Sequence, residues 1–379
     1  MSTPTLELLS PGLLTTVQDR GRYGYQRFGV PVSGGMDEFA LRSANLLVGN
    51  DQGDACLELT VLGPTVRFLE NARIAVTGAD LTGMLDGSPL PRWRAVEIAK
   101  GGDLSFRSMQ DGMRAYLAVA GGIDVPVVMG SRSTYVPSGI GGFEGRALAA
   151  GDTVSVLPTD PARPTLSRRL PRGYAAPVYG EHHEIRVVLG PQADAFEQDA
   201  IDTFLGTTFT VALDSDRMGY RLEGAVVRHS TGPDIVSDGN APGAIQVPGN
   251  GVPTVLLADR GTTGGYTKIA TVISADLGRI AQAVPRQTVS LRAVELEEAN
   301  AAARELESVL AAIALGIDDR VSIAVDGRAI DVVDAGGGAL TSPGPNGGDT
   351  SVVEATAKAG DRTFELDLEV VQRDWAGQA

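Results

Sequence analysis

Three short stretches of this sequence place an arginine directly after an aspartate and close to a Gly-Tyr pair. Asp19-Arg20-Gly21 and Asp259-Arg260-Gly261 are each followed shortly by Gly-Tyr and lie beside a Gly-Val-Pro triplet, and Asp216-Arg217 begins a partial third copy. A guanidinium is permanently charged and carries five N–H donors, so it binds carboxylate or phosphate groups, and a neighbouring aspartate can orient it. The same residues can also form a structural β corner, in which glycine supplies a positive φ and an ion pair bridges adjacent turns. Both interpretations stay open on these motifs alone.

A second candidate site is the glycine-rich segment 119–152, which contains Gly130-Ser131-Arg132-Ser133-Thr134. Backbone amides made accessible by glycine, one guanidinium and several hydroxyls can cradle a carboxylate, carboxyphosphate or phosphate group. The alternative is a long connection between strands, whose serines cap turns.

Several familiar chemistries are disfavoured by what the sequence lacks. It contains neither a GxxxxGK[ST] phosphate loop nor a GxSxG nucleophile elbow, and its three histidines lack metal-ligand spacing. No metal site is expected. The single cysteine, Cys56, lies in an apolar run and is expected to be a buried structural thiol. Only Lys100, Lys268 and Lys358 could serve a lysine-dependent step.

Charge and hydropathy narrow the partners and the compartment. A net charge of −15 disfavours nucleic acid, because a phosphate backbone would be repelled. No apolar run approaches the roughly 20 residues that cross a bilayer, and the N-terminus lacks the features of a signal peptide. We therefore expect a cytoplasmic protein that does not bind membranes.

The elements that must position these residues are mostly strands. Short apolar segments rich in Val, Ile, Leu and Thr alternate with turns rich in Gly and Pro, which predicts a mainly β protein with a few helices. Helices are expected at 36–49 and 193–206, and a long one at 290–316 with Ser290 as N-cap. The expected units are an N-terminal β domain (1–157), a Pro-rich connector (158–180), a second β domain (181–289), the long helix (290–316) and a C-terminal β appendage (321–379). Within the appendage, Asp326-Gly327 predicts a two-residue hairpin, and 334–350 a mobile loop.

Four blocks of the sequence resemble the signature blocks of a known family. They are LLTTVQDRGRYGYQRFGVPVSGGMDEFA, AYLAVAGGIDVPVVMGSRSTYVPSGIGGFEGRALAAGD, SDRMGYRLEG and IVSDGNAPGAIQVPGNGVPTVLLADRGTTGGYTKIATV. The family is the biotin-dependent carboxyltransferase family, which is also called allophanate hydrolase subunit 2, KipA or the C subunit of 5-oxoprolinase. The blocks occur in family order over residues 5–290, and the tail from about 320 is not typical of the family.

The resemblance implies a fold and an activity. The fold would be two cyclophilin-like β-barrel domains followed by the small C-terminal β appendage. The activity would be ATP-dependent opening of 5-oxoproline to glutamate, carried out only in complex with an allophanate hydrolase subunit 1 (KipI-like) partner and, in bacterial 5-oxoprolinase, a LamB/YcsF-type subunit. ATP with Mg would act at the level of that complex.

Two alternatives remain within the same resemblance. The chain could be the carboxyltransferase component of a biotin-dependent urea carboxylase or allophanate system, or a non-catalytic KipA-type regulator of a kinase inhibitor. Biotin is normally attached to a lysine between two methionines. Lys358 lacks such neighbours, so no covalently bound biotin is expected in this chain.

The resemblance also suggests which residues form the site, in a cleft between the two β units. Phosphorylation and opening of a lactam require groups that hold developing negative charge. The expected catalytic residues are Arg20, Arg132 and Arg260. The expected substrate-binding residues are Arg22, Ser131, Ser133, Arg217 and Lys268. The expected orienting residues are Asp19, Asp216 and Asp259. No residue is assigned as general base.

Overall fold

A computed structural model describes residues 4–159, 169–171, 174–315, 320–325, 328–333, 350–359 and 362–371. Strands dominate these residues and four α-helices accompany them, which confirms the prediction of a mainly β protein with a few helices. No helix in these ranges is long and apolar enough to span a membrane.

The first half of the chain forms two sheets that share one apolar core. Its strands are β1 (Pro4–Ser10), β2 (Leu14–Gln18), β3 (Cys56–Thr60), β4 (Thr65–Phe68), β5 (Ala72–Asp80), β6 (Gly83–Leu85), β7 (Ser88–Pro89), β8 (Ala95–Ile98), β9 (Asp103–Phe106), β10 (Asp111–Val119), β11 (Ile123–Asp124) and β12 (Thr153–Val156). One sheet has the order β11-β12-β1-β4-β9-β6-β7 and the other β2-β3-β10-β5-β8. Leu57 and Leu117 from the second sheet meet Leu6 and Phe68 from the first, all without solvent contact.

The second half forms a closed barrel. Its strands are β13 (His182–Leu189), β14 (Phe209–Val211), β15 (Gly219–Glu223), β16 (Asp234–Gly239), β17 (Ala244–Gln246), β18 (Thr254–Leu256), β19 (Thr263–Tyr266), β20 (Lys268–Val272) and β21 (Thr288–Ala293). The ring order is β13-β20-β17-β18-β15-β14-β21, and β16 pairs with β19 as a separate two-stranded arm. The resemblance implied two barrels. Among the described residues the hydrogen-bonded ring closes in the second half, whereas the first half keeps two open sheets.

The helices are α1 (Glu38–Val48), α2 (Gln198–Gly206), α3 (Leu277–Ala281) and α4 (Leu296–Leu315). The Asp37 side chain caps α1 by accepting a hydrogen bond from the backbone N–H of Ala40 at 3.0 Å. The expected N-cap at Ser290 is wrong, because Ser290 lies inside β21 and pairs with Glu184 of β13. Burial of alternate residues in β21 follows the two-residue period of a strand, and the helix starts only at Leu296.

Helix α4 follows the barrel in sequence but packs against the first half of the molecule. Val309, Leu310 and Ile313 are buried in one apolar cluster with Leu41 and Leu47 of α1. This helix therefore ties the two halves together.

The C-terminal part contains a four-stranded sheet of order β23-β22-β25-β24. Its strands are β22 (Arg320–Val325), β23 (Arg328–Val333), β24 (Thr350–Ala359) and β25 (Arg362–Val371). Val325 pairs with Arg328, which is the register of the expected hairpin, although Asp326-Gly327 itself lies outside the described residues. The expected loop at 334–350 also lies outside them, apart from Thr350 in β24, as does most of the connector between 160 and 173.

Candidate functional site

The Asp19 carboxylate binds the glycine-rich loop of the first half. Its Oδ1 accepts hydrogen bonds from the Ser131 hydroxyl at 2.7 Å, from the Ser133 hydroxyl, and from the backbone N–H of Gly21. Its Oδ2 accepts the backbone N–H of Arg132 at 2.5 Å. Gly21 has a φ of 95°, and a Cβ there would lie 2.7 Å from a backbone oxygen, so this corner requires glycine.

These contacts correct part of the predicted site. Asp19 orients two serines and a backbone amide; no hydrogen bond from an arginine side chain to it is found among the described residues. Ser131 and Ser133 are buried and donate to Asp19, so neither hydroxyl faces an open site. The Arg132 side chain donates its Nε–H to the carbonyl of Val125 at 3.0 Å. This part of the loop is therefore a buried, hydrogen-bonded structural cluster and not an open anion-binding site.

Arg22 lies buried beside this cluster around Asp19. Its Nη2 donates to the carbonyl of Ser133, while Nε and Nη1 have no partner among the described residues. Burial lowers the pKa of Arg22, and the carboxylates of Asp19 and Asp259 partly oppose that effect. Arg22 is thus a buried cation whose charged form is favoured by one aspartate from each half.

A second buried cluster surrounds Arg217. Its guanidinium donates to both oxygens of Asp259, at 2.9 and 3.1 Å, to Glu58 at 2.5 Å and to the carbonyl of Gly34 at 2.6 Å. Burial alone would lower the pKa of Arg217, but Glu58 and Asp259 outweigh it and raise the pKa. Asp259 thus binds the side chain of Arg217, whereas Asp216 is exposed and accepts the backbone N–H of Met218 in a turn.

This second cluster joins the two halves of the molecule. Glu58 and Gly34 belong to the first half, and Arg217 and Asp259 to the second. Ser33 adds a further link, because its hydroxyl donates to Asp259 at 2.5 Å. With every donor and acceptor close to a partner, the charges are compensated inside the interface.

A cavity of about 250 Å³ lies next to this interface. Its wall combines the first half, the barrel and α4. The lining residues with charged or phenolic side chains are Arg20, Tyr23, Glu38, Arg42, Arg260 and Glu307. This volume is below the roughly 300–1,000 Å³ typical of drug-sized ligands, so the cavity suits a small metabolite.

The structure brings Arg20 and Arg260 to this one cavity, but in different states. Arg20 is about half exposed and pairs with Glu38, with Nη2 at 2.7 Å from the carboxylate. Arg260 is 9% exposed and donates Nε–H to the carbonyl of Asn240 and Nη1–H to that of Leu257. No carboxylate pairs with Arg260 among the described residues. Burial lowers its pKa, which Tyr23 partly opposes.

Arg260 is therefore a positive charge in the cavity wall that no carboxylate neutralises in the part of the chain that the structure describes. The other cavity arginine, Arg42, is bonded to Gln52 and makes a bidentate pair with Glu307 at 2.5 and 2.6 Å. An anionic group entering the cavity would gain most from Arg260.

Two other features lie apart from this cavity. A groove of about 390 Å³ follows the glycine-rich loop at Gly139–Gly145, and the arginines predicted for the site do not line it. Lys268 is buried at the start of β20 and does not line the cavity that contains Arg20 and Arg260. In the described part of the chain, no group of three or more His, Cys, Asp or Glu side chains could hold a metal ion.

Comparison with known proteins identifies the family. Residues 28–293 match the family described as "Carboxyltransferase domain, subdomain A and B". This chain belongs to that family. The carboxyltransferase-domain match spans both halves of the described fold and ends at the last residue of β21.

Three related proteins match this chain over most of its length. The C subunit of 5-oxoprolinase from Escherichia coli (strain K12) is 40% identical over 295 residues, which are 78% of this chain and 93% of that protein. Its counterpart of the same name from Haemophilus influenzae is 34% identical over 83% of this chain and 99% of that protein. The crystal structure of the K. lactis urea amidolyase matches 83% of this chain with a TM-score of 0.77 and 30% identity, but only 20% of that longer chain.

Several residues that build the carboxyltransferase-domain interface were missed in the sequence. Glu58 binds Arg217, and Gln282 bonds Asp37, while Arg114 donates to the hydroxyl of Tyr220. Glu58 could have been noticed in the sequence, because it is a lone acidic residue in the otherwise uncharged strand CLELT, and a buried charge needs a partner. Gln282 and Arg114 have no comparable pattern around them.

Proposed function

We propose that this chain is a subunit of an ATP-dependent 5-oxoprolinase complex that opens 5-oxoproline to glutamate. Two relatives bear the name of the C subunit of 5-oxoprolinase, which supports this assignment. The observation that carries it is the position of Arg260, a buried guanidinium without a carboxylate partner among the described residues, in a small cavity shared with Arg20. 5-Oxoproline is a small anion, so its carboxylate complements that charge.

The chemistry requires stabilisation of negative charge. Opening a stable lactam with ATP points to activation of the amide oxygen before water attacks, and fixed donors stabilise the charge that develops. In this proposal Arg260 binds the anionic substrate and Arg20 assists after exchanging its exposed partner Glu38. ATP and Mg act in the complex, whose other members are a KipI-like subunit 1 and a LamB/YcsF-type subunit.

A second candidate function rests on the fold match. The similarity to part of the K. lactis urea amidolyase favours a carboxyltransferase component that accepts carboxybiotin from another chain. Both candidates place a small polar substrate beside the same arginines. They differ in substrate and in the donor of the activating group.

Reconstitution tests these candidates. The purified chain is combined with the subunit 1-like and LamB/YcsF-type proteins of the same genome, and glutamate formation from 5-oxoproline is measured with and without ATP. We expect ATP-dependent glutamate formation; its absence from the complete complex overturns the main proposal. Carboxylation of urea in a parallel assay with a biotin carboxylase and carrier would favour the second candidate.

The site assignment is tested with matched arginine variants of the complex. Arg260→Gln should lower kcat/KM for 5-oxoproline by about 100-fold, as for loss of one partner of a buried pair of opposite charges. Arg67→Gln is the control, because Arg67 pairs with Asp103 on the exposed face of β4, away from the cavity. An Arg260→Gln enzyme as active as the control would remove Arg260 from the site.

A further inference from the structure

The charged side chains in the wall of the cavity nearly cancel. The wall contains three guanidinium groups and two carboxylates, from Arg20, Arg42, Arg260, Glu38 and Glu307. Counted at their formal charges, these groups give the wall a net charge of +1. Because complementary charge decides which ligands a site accepts, a wall with one excess positive charge suits a ligand with one carboxylate better than a ligand with two.

Two ion pairs produce this balance. Arg20 pairs with Glu38 of α1, with Nη2 2.7 Å from Oε1. Arg42, also on α1, makes a bidentate pair with Glu307 of α4 at 2.5 and 2.6 Å. Nη1 of Arg42 lies 3.8 Å from Glu38, so these four side chains form one row of alternating charge along the wall. Among the described residues, Arg260 is then the wall cation that has no carboxylate partner.

The two ion pairs differ in how firmly they hold their arginine. Arg20 and Glu38 are both close to half exposed. The Arg42 side chain is only 11% exposed, and its Nε–H donates to Gln52 at 2.6 Å, which fixes the guanidinium facing Glu307. The hydrogen bonds from Arg42 hold the pKa of Glu307 below its usual value, so Glu307 stays charged near neutral pH. Glu307 therefore keeps Arg42 from acting on a ligand.

Glu307 comes from a part of the chain outside the family match. That match ends at residue 293, and α4 begins at Leu296. The buried residues Val309 and Leu310 follow Glu307 within one helical turn and anchor this part of α4 against α1. Packing therefore fixes the position of Glu307, as a group that sets the charge of a site requires.

We propose that Glu307 is a specificity-determining residue, which neutralises Arg42 and so restricts the cavity to ligands with a single carboxylate. Without Glu307, Arg42 becomes a second free cation, and a ligand with two carboxylates gains a second partner. The selection of one carboxylate is a property of the wall, whereas the choice of 5-oxoproline as the ligand rests on the proposed function. In that function the selection also favours release of the product, because hydrolysis converts a monocarboxylate into glutamate, which has two carboxylates.

Binding to the full-length chain tests the proposal. Calorimetry and ligand-observed NMR are run with 5-oxoproline and cyclopentanecarboxylate as monocarboxylates and with glutarate as a dicarboxylate of similar size. Wild type should bind at least one monocarboxylate more tightly than glutarate. Glu307→Gln should shift the affinity ratio by about tenfold in favour of glutarate, since only the dicarboxylate gains a further charge-assisted pair. An unchanged ratio, a wild type that does not prefer a monocarboxylate, or no binding of any probe overturns the proposal.

Matched variants separate the Arg42 pair from a general loss of acidic charge. Glu305→Gln removes the same charge from an exposed position two residues earlier on α4 and should leave the ratio unchanged. Combining Arg42→Gln with Glu307→Gln should return the ratio to the wild-type value, because the cation that Glu307 neutralises is then absent. An equal shift in Glu305→Gln, or a shift that persists in the double variant, would mean that Glu307 does not act through Arg42 and would reject the proposal.

The reconstituted complex distinguishes this proposal from the proposed function. If the wild-type complex opens 5-oxoproline and Glu307→Gln changes neither the affinity ratio nor the inhibition of that complex by glutarate, the specificity role is wrong and the function stands. If the complex lacks that activity but the chain prefers cyclopentanecarboxylate to glutarate in a Glu307-dependent way, the function is wrong and the specificity role stands.

Discussion

At the residue scale, the aspartate and the arginine of the repeated Asp-Arg pair have different environments. Asp19 and Asp259 are both buried, and each accepts a hydrogen bond from a serine hydroxyl of the first half of the chain. The arginine after each aspartate, Arg20 or Arg260, reaches the shared cavity instead. The buried aspartate and the arginine that lines the cavity are therefore neighbours in one motif. The parallel stops at glycine, since Gly261 lacks the positive φ of Gly21.

Removing Arg217 should strongly destabilise the fold. Arg217→Met leaves Glu58 and Asp259 buried without their cation, so we expect a loss of about 3–5 kcal/mol in the free energy of unfolding. Urea denaturation followed by circular dichroism measures the loss.

Arg221→Met is the matched control for Arg217→Met. Arg221 also pairs with an aspartate, Asp214, but both side chains are largely exposed, so its loss should cost under about 1 kcal/mol. Equal effects of the two substitutions would contradict the assignment of Arg217 as a compensated buried charge.

Sequence motifs drew attention to the arginines that line the cavity or cross the interface, but not to their hydrogen-bond partners. Arg20, Arg217 and Arg260 could be selected because they stand in repeated motifs. Their hydrogen-bond partners depend on which loops meet in three dimensions, and Glu58 lies 159 residues from Arg217. No local pattern encodes such a contact, which is why Asp19 and Asp216 were expected to orient arginines, whereas the described residues show them binding serine hydroxyls and backbone N–H groups.

At the element scale, periodicity separated strands from helices except where the two adjoin. The segment from Thr288 to Leu315 contains a strand and then a helix, and their apolar residues merge into one plausible helical face. Parallel pairing with β13 makes Thr288–Ala293 a strand. This pairing is a tertiary interaction, so a search for helical periodicity in the sequence does not detect it. Helices α1 and α2, in contrast, lie within their predicted ranges.

Helix α4 should contribute to the stability of the first half through its buried face. Leu310→Ala removes a side chain packed against α1 and should cost about 2–5 kcal/mol in unfolding free energy. Leu315→Ala, at the exposed end of the same helix, should cost under about 0.5 kcal/mol. Thermal or chemical denaturation of both variants checks the difference, and a tolerated Leu310→Ala would mean that α4 is not an anchored element.

Strand β13 makes stability depend on pH through His183. Burial lowers the pKa of His183, whose Nε2–H donates to Gln287 at 2.9 Å while Nδ1 has no partner among the described residues. As the pH falls below about 6.5, the unfolded chain takes up a proton at this histidine before the folded chain does. Stability contributed by the neutral ring is therefore present above that pH and lost on acidification.

The measurement is the melting temperature between pH 7.5 and 5.5. His183→Gln should reduce its decline over this range, whereas His182→Gln, which changes an exposed neighbour, should retain the wild-type decline. An identical decline in wild type and His183→Gln would exclude His183 as the cause.

At the scale of the whole molecule, the two halves are joined through polar groups as well as apolar packing. The side chain of Gln282, at the end of α3, accepts the backbone N–H groups of Met113 and Arg114 and donates to Asp37. Together with the Arg217 cluster, these bonds fix the walls of the interdomain cavity. The sequence predicted a cleft between the two halves. It could not predict how the halves are placed relative to each other, which brings Arg20 and Arg260 to the cavity wall but not Arg132.

Truncation should separate the family core from the C-terminal sheet. A chain ending at residue 316 retains α4 and the whole family match, which ends at 293, so it should keep 5-oxoproline activity in the complex. A chain ending at residue 295 loses the buried residues of α4 and should unfold at a lower temperature. Activity assays and calorimetry on both truncations test this, and loss of activity in the longer one would assign the C-terminal sheet a role in the reaction.

The ion pair between Glu58 and Arg217 also sets an order of events during synthesis. Ribosomes add about 5–20 residues per second, so Glu58 emerges on the order of ten seconds before the cation that compensates it 159 residues later. During that interval the nascent first half has an acidic side chain in a strand that is otherwise ready to pack. Its last packing step should therefore wait for the barrel, and a ribosome-bound chain stopped before Arg217 should be more open to proteases than one stopped after α4.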